Sequence, residues 1–406
     1  MESPHLYRLG APPDRSPEVI ERAIQLDRVQ TMRGVRPIYT LGHLAHMSAV
    51  PEGYLEGIVN RQIDPYRLVE LRKGDGRTTR MIAVPEPRLM QVQRWMLSEV
   101  FGRMQAHPAA FGYVKGRSAV LSAQAHLGAK WLVKLDVRNF FHQFDERQIY
   151  WLLRRHSYSR IVALELARIS TRHVTTQQTW LPSKYSDDER PVRTRAWDLV
   201  EVAEFLFSED DDSDGDPVEE PNGDGLPFDF GTRLGYVPQG APSSGAITNA
   251  LSFRLDERLS KLSAESCVVY TRYADDITFS GWRAFSRPEA DRLLRAANAI
   301  LMQEKLEPNR AKTKVLSGRS PLEVLGIRVD GEEIRLGRKT RASLDYHVRG
   351  VERFGFIAHA EHAGFRDVLG FRAYLFGLVR YAFSVEPKRA GAYEARLKAA
   401  ENSLGD

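Results

Sequence analysis

Two adjacent carboxylates stand where a β-hairpin has to turn: Tyr273-Ala274-Asp275-Asp276 lies between the β-rich runs 268–273 and 277–280. A third acid, Asp136, comes at the end of another apolar run, residues 131–137. A carboxylate on a buried strand is costly unless it is paired or bound to a cation. Three brought together by neighbouring strands repel one another and raise their own pKa values. If adjacent strands bring these three together, divalent cations are the natural relief of that repulsion. Oxygen ligands of this kind suit magnesium, which keeps several waters and completes its shell with substrate phosphates; manganese accepts the same donors. Two such ions about 4 Å apart serve nucleotidyl transfer, activating a primer hydroxyl and stabilising the departing pyrophosphate. An Asp-Asp pair alone is commonly just a solvated turn, so its companions decide.

Local signals place those companions. Ser16-Pro17-Glu18 supplies an N-cap, a first-turn proline and an early acid, predicting a helix to about Met32. Thr40 caps a helix over 41–49, and another follows Val50-Pro51. This pair reads as a helical cover; nucleic-acid contact is the alternative, but no basic recognition face is visible. Extended runs 66–72 and 77–84 flank Lys73-Gly74-Asp75-Gly76, and Asp-Gly between strands signals a hairpin. Helices are predicted over 89–104, 120–127, 147–170, 249–263 and 287–305, and short strands over 313–316, 322–329 and 333–336. The last seventy residues read as helical, basic and aromatic-rich.

With 406 residues, 42% hydrophobic and 27% charged, the chain can fill two or three subdomains. Its one cysteine, Cys267, lies in an apolar stretch and is expected in the core. No signal-peptide pattern is visible and no apolar run approaches the roughly 20 residues of a membrane helix, which predicts a cytoplasmic protein with no membrane partner. The net charge of +5 hides an uneven distribution: fifteen Asp or Glu face three Arg between Asp187 and Asp224. That local balance of −12 leaves +17 on the rest, a body suited to a polyanion. The acidic stretch lacks the apolar content to fold alone and reads as a surface insertion at about 181–230, with a short helix over 196–207. Calcium binding is the alternative, but the spacing has no EF-hand pattern.

The motifs in order resemble the seven-block reverse transcriptase domain of the retron type, over roughly residues 35–385. They run GDGRTTRMIAVPEPRLMQVQRWML, AAFGYVKGRSAVLSAQAH, WLVKLDVRNFF, GYVPQGAPSSGAITNALSFRLDERL, YTRYADDITFS, LEPNRAKTKVL and EVLGIRVD. The resemblance implies an α+β right-hand polymerase fold with fingers, a palm built on a small antiparallel sheet, and a helical thumb. Residues 1–35 would be an extension, 36–130 the fingers, 131–335 the palm and 336–406 the thumb. Asp136 and Asp275 would be the principal ligands of two Mg2+ ions, with the Val137 carbonyl and Asp276 nearby. Phe141 would be the steric gate against a 2′-hydroxyl, with core packing as the bland alternative. Gln239 and Gly240 would pack on the nascent base pair. Arg80, with Lys73 and Arg77, would grip the dNTP triphosphate. Lys312, or Lys314, would protonate pyrophosphate. Val324-Leu325-Gly326 would lie at the primer grip, and Arg366, Arg372 and Arg380 in a thumb that binds RNA.

Retron enzymes carry Asn-Ala-x-x-His before the first catalytic acid and Val-Thr-Gly near the primer grip. Here Ser122-Ala123-Gln124-Ala125-His126 and Val324-Leu325-Gly326 each differ by one substitution. His126 is read as an RNA- or primer-binding residue, with an ordinary helix histidine as the alternative. The resemblance further implies a cognate structured non-coding RNA as template and primer, a branched or RNA-linked single-stranded DNA product, an effector protein encoded nearby, and antiphage defence. Other readings stay open: a defence polymerase working without a template or from a protein primer, a group II intron-type enzyme, and an inactive RNA-binding scaffold. The last is disfavoured because Asp136, Asp275 and Asp276 are all present.

Overall fold

The computed structural model describes residues 17–72, 79–173, 234–283, 286–317 and 320–404. The acidic insertion with its expected helix, and the side chains of Lys73 and Arg77, lie outside these residues. In chain order the elements are α1 Pro17–Met32, α2 Leu41–Ser48, α3 Glu52–Val59, β1 Tyr66–Arg72, β2 Thr79–Pro85, α4 Pro87–Glu99, α5 Ala119–Gln124 and β3 Trp131–Asp136. There follow α6 Glu146–Arg155, α7 Arg160–Ser170, α8 Ser244–Leu251, α9 Phe253–Glu265, β4 Val269–Tyr273, β5 Asp276–Gly281 and α10 Arg287–Gln303. The chain closes with β6 Lys314–Ser317, β7 Glu323–Val324, β8 Ile327–Arg328, β9 Arg335–Leu336, α11 Arg338–His362, α12 Val368–Val385 and α13 Pro387–Leu404. Helices are thus mixed with small antiparallel sheets.

Two compact units divide the chain. The first draws on Met1–Pro108, Val137–Asp256 and Glu304–Glu307. Its β1 and β2 pair antiparallel from Tyr66↔Pro85 to Arg72↔Thr79, as the Asp-Gly signal predicts. Pro87 opens α4 where a proline's missing N–H costs nothing. Gln93 on α4, fully buried, donates to the Tyr66 hydroxyl (2.8 Å) and the Ile169 carbonyl (2.9 Å), tying strand, helix and α7 together. The expected long helix over 147–170 is two, because Ser157 takes a left-handed φ of 65° and Ser159 caps α7. Likewise 249–263 is divided at Ser252.

The second unit takes Ala109–Asp136, Glu257–Gln303 and Pro308–Asp406. Its main sheet has the order β4-β5-β3-β6, antiparallel throughout. A smaller sheet, β7-β8-β9, and the helices α11, α12 and α13 share an apolar core that includes Val324, Ile327, Val351, Phe371 and Leu397. The expected single strand over 322–329 is a tight hairpin: Val324 pairs with Ile327, leaving Leu325 (φ 51°) and Gly326 (φ 77°) as its two-residue turn. Positive φ at both positions suits a type I′ turn, matched to strand twist. Helix α11 is interrupted at Gly355 (φ 78°).

Cys267 is exposed rather than in the core: it takes a left-handed φ of 52° in the turn between α9 and β4, which carries it out of the packed strand. Against the expected lack of any sufficiently apolar run, Val368–Val385 is long and apolar enough to cross a membrane by length and composition. Its apolarity has a local use, since Phe371, Leu375, Val379, Ala382 and Val385 are buried in this unit's core.

Candidate active site

Strand β3 is buried nearly end to end, and its last residue, Asp136, remains buried at 7% exposure. Register sets Asp136 directly opposite Asp276, the first residue of β5. On the other side of β5, Tyr273 pairs with Asp276, so Ala274 and Asp275 form the hairpin tip, with Ala274 at φ 54°. The hairpin expected from the Asp-Asp pair is therefore present, and its acids meet Asp136 at one end of the sheet.

The outer edge of β4 is covered rather than left open. Arg272 N–H donates to the Ala109 carbonyl (2.8 Å), and Phe111 N–H donates to the Arg272 carbonyl (2.7 Å). A Cβ on Gly112 would stand 2.9 Å from the Ala274 nitrogen, so glycine permits this segment to approach the tip. Arg272, fully buried, donates through Nη1 to the Ala274 carbonyl at 3.3 Å. Nothing local in the sequence marks Gly112 for this contact, which is long-range.

Asp136 is held from the loop before β6. Asn309 uses its backbone N–H on the Asp136 carbonyl (2.7 Å) and its Nδ2 on Oδ1 (3.0 Å). Lys312 Nζ reaches Oδ2 at 3.1 Å with half of its side chain exposed. Lys314, the competing lysine, is an exposed residue of β6 paired with Lys134. Asn309 is buried, and its role was missed because it depends on the pairing of distant segments.

Burial, and then the neighbouring charges of Asp276 and Asp136, push the Asp275 carboxyl up to about 6, with Lys312 offsetting part of the rise. Among the described residues no three His, Cys, Asp or Glu side chains converge into a ready-made cage. The donor chemistry nonetheless fits a hard divalent cation: oxygen ligands alone, mutually repelling, on strands that fix their backbones. Magnesium in particular is usually held by one or two carboxylates plus waters and substrate phosphates, not by a full protein cage.

The first unit carries the other expected residues. Val137 and Phe141 are buried, and Phe141 packs edge-to-face on Phe140 at 5.6 Å. The Gln239 carbonyl accepts from Ala83 N–H (2.9 Å), and Ser244 Oγ closes the turn on the Pro238 carbonyl (2.7 Å). Gly240 has φ 116°, and a Cβ there would lie 2.3 Å from Ile82 Cγ2. Only glycine fits so close to β2. Arg80 lies on β2 opposite Leu71.

Back in the second unit, Val324 is buried, so its hairpin presents Leu325 and Gly326 at the turn. Arg380 is exposed. Arg372 stacks over Phe356 (4.5 Å) and Phe376 (5.9 Å) and pairs with Glu401. His126, expected at the RNA or primer, is wholly buried and hydrogen-bonded within the core, so it offers no surface to nucleic acid.

No family model matches the chain. Curated retron reverse transcriptases do match. Retron Mx162 reverse transcriptase of Myxococcus xanthus is 33% identical over 267 residues, covering 66% of this chain and 43% of its own length. Retron Mx65 reverse transcriptase of the same organism is 30% identical over 319 residues, 79% of this chain and 61% of its own length. Retron Ec86 reverse transcriptase of Escherichia coli is 22% identical over 68% of this chain and 66% of its own length. The chain thus spans about two fifths to three fifths of the length of the two Myxococcus relatives. Among solved structures, telomerase from Candida albicans in complex with a TWJ fragment of telomeric RNA aligns with 95% of this chain and 61% of that one, with a TM-score of 0.37 and 10% identity. The resemblance to retron-type reverse transcriptases read from the sequence motifs is borne out by these curated relatives.

Proposed function

We propose that this chain is an RNA-directed DNA polymerase of the retron type, copying part of a structured non-coding RNA into single-stranded DNA. The observation that carries this reading is the register that sets Asp136 opposite Asp276, with Asp275 at the hairpin tip, in a chain similar to retron reverse transcriptases. On this reading the fold is a right hand, with fingers at 36–130, palm at 131–335 and thumb at 336–406.

Asp136, Asp275, Asp276 and the Val137 carbonyl are the proposed ligands of two divalent ions, Mg2+ with Mn2+ as substitute. When bound, such ions activate the attacking hydroxyl and neutralise charge on the leaving group. The primer hydroxyl oxygen bonds to the α-phosphorus of a dNTP, and the bond from that phosphorus to pyrophosphate breaks. Lys312 is the proposed proton donor to the departing pyrophosphate. Its ammonium already bonds Asp136, and its exposure lets it exchange that partner for a phosphate oxygen. Asn309 keeps Asp136 in place when Lys312 moves.

The remaining roles are proposed for the residues as the family motifs assign them. Phe141 bars a 2′-hydroxyl, Gln239 and Gly240 support the nascent pair, and Arg80 with Lys73 holds the triphosphate. Leu325 and Gly326 offer turn backbone to the primer, and Arg380 with Arg372 binds RNA, for which a basic, aromatic-rich surface is suited. The proposed product is a branched or RNA-linked DNA, and the proposed setting is antiphage defence with a separate effector protein.

The test is to purify the protein from its native locus and run its extracted nucleic acid on a denaturing gel, before and after RNase and debranching enzyme, beside Asp275→Ala. A discrete DNA that shortens on debranching and disappears in the variant is expected. Heterogeneous DNA without RNA would point instead to untemplated or protein-primed synthesis. RNA alone in both samples would leave only a binding scaffold.

A further inference from the structure

The buried histidine has an arrangement that the proposed chemistry does not use. Ser122 on α5 and His126 just beyond it both reach Thr271: Ser122 Oγ lies 3.2 Å from Thr271 Oγ1, and His126 Nε2 lies 2.7 Å from it. The other ring nitrogen, Nδ1, lies 2.6 Å from Ser280 Oγ. All four residues are at most 3% exposed. Thr271 belongs to β4, four residues before Asp275, and Ser280 to β5, four residues after Asp276. The imidazole therefore bridges both strands of the hairpin that carries the acids.

We propose that His126 is a positioning residue, which clamps β4 to β5 through Thr271 and Ser280 and so fixes where Asp275 and Asp276 stand against Asp136. This rests on the polymerase reading above. Strand pairing fixes register but tolerates twist and sliding of a two-residue tip, whereas side chains that share a reaction tolerate little misplacement. Alternation along β5 puts Asp276, Thr278 and Ser280 on one face, so the clamp bears on the same face as the acid.

The chemistry of the clamp is closed. A neutral imidazole has one donor and one acceptor, and each hydroxyl can be both, so every member of the chain from Ser122 to Ser280 can be satisfied. Burial pushes His126 down to about 4, with Lys134 adding to the effect, so the ring stays neutral. Removing it takes the imidazole from the buried Ser280 hydroxyl and leaves Thr271 bonded to Ser122 alone, a costly kind of deletion. The same helix packs on β7 and β8, and Gly128 N–H donates to the Val329 carbonyl at 2.7 Å. The near-match to the first retron signature therefore supports both the acid hairpin and the Val324-Leu325-Gly326 turn.

The experiment uses the full chain bound to its RNA, with His126→Leu, Thr271→Val and Ser280→Ala. Four quantities are read: thermal midpoint, RNA affinity, single-turnover nucleotide addition from preformed complexes, and Mn2+ binding by electron paramagnetic resonance. His126→Leu is expected to slow addition and weaken Mn2+ binding by roughly ten- to a hundredfold each, leaving RNA affinity unchanged. Thr271→Val and Ser280→Ala should each give part of the effect and combine non-additively with His126→Leu. Wild-type addition and Mn2+ binding in His126→Leu, measured well below its midpoint, would reduce the residue to packing. Weakened RNA binding with a normal rate from preformed complexes would mean that the residue supports the RNA-binding surface and not the acids, overturning the proposal. If His126→Leu does not fold, the two hydroxyl variants carry the same readings. Wild-type protein that makes no DNA would overturn the polymerase reading, and Mn2+ binding would still judge the clamp.

Discussion

In the first unit, two arginines are matched by carboxylates. Arg61 pairs with Glu146, which also takes the Thr171 hydroxyl at 3.5 Å, and Arg172 grips Asp64 through Nε and Nη2 at 2.7–3.1 Å. In the second unit three carboxylates, Asp136, Asp275 and Asp276, meet at one end of a sheet, where Lys312, half exposed, pairs with Asp136. A matched cluster gains little by binding anything further and loses much if one partner is removed. A cluster of like charges carries a standing repulsion that a cation relieves. That difference separates a structural charge cluster from a site, and it can be broken from either side.

The largest effect is expected at the carboxylate cluster. Asp275→Asn should lower nucleotide addition on the order of a thousandfold or more while leaving the ion-free fold at least as stable. Primer extension and thermal melting on the same preparation check both halves, and a melting point that falls with activity would make Asp275 a structural acid. The matched cluster should respond in reverse. Arg172→Leu strands Asp64 and removes the cation over the Tyr66 ring (6.0 Å), for a loss of about 3 kcal/mol in urea denaturation with the folded fraction still active.

The same contrast explains what could be read in advance. The acid hairpin was legible because a polar pair between two β-rich runs has few other places to go, and β1–β2 because Asp-Gly marks its own turn. Arg61–Glu146 and Asn309–Asp136 were not legible: their partners are 85 and 173 residues apart, and nothing local records the pairing. His126 was read as a nucleic-acid contact from its motif alone, since its hydroxyl partners on β4 and β5 emerge only with the hairpin's register. Cys267 failed for a local reason. Its apolar neighbours argue burial, but the left-handed turn residue between helix and strand points outward. The gap at Gly355 in α11 was missed because a lone glycine is tolerated within helices as well as at their breaks.

Acidity offers a milder perturbation. The Asp275 carboxyl titrates near 6 when folded, against about 3.9 in an unfolded chain. Between those values the folded state holds a proton that the unfolded state lacks, so stability falls as pH rises through the window and levels off above it. The ion-free protein should lose no more than about 3 kcal/mol between pH 4 and pH 7 from this group. Asp275→Asn should remove its share of the slope, and Mn2+ should restore stability at the upper end by favouring the ionised form. Urea denaturation with chelator at both pH values decides it, and a slope unchanged in Asp275→Asn would assign the titration elsewhere.

The smallest expected effect tests whether the carboxylate cluster is also an oriented one. Asn309→Ala removes the donor on Asp136 Oδ1 but leaves the backbone N–H on the Asp136 carbonyl, so the loop can stay docked. Lys312 still holds Oδ2, and the carboxylate gains freedom to rotate about that contact. If Asp136 needs only to be negative, activity should survive. If it needs a fixed direction, single-turnover addition should fall roughly tenfold, recoverable in part by raising Mn2+, because a looser ligand lowers metal affinity before it abolishes it. Asn309→Asp adds a fourth carboxyl to the cluster and should be worse than alanine in activity. Wild-type activity in Asn309→Ala would mean that the charge of Asp136, and not its direction, is what the reaction needs.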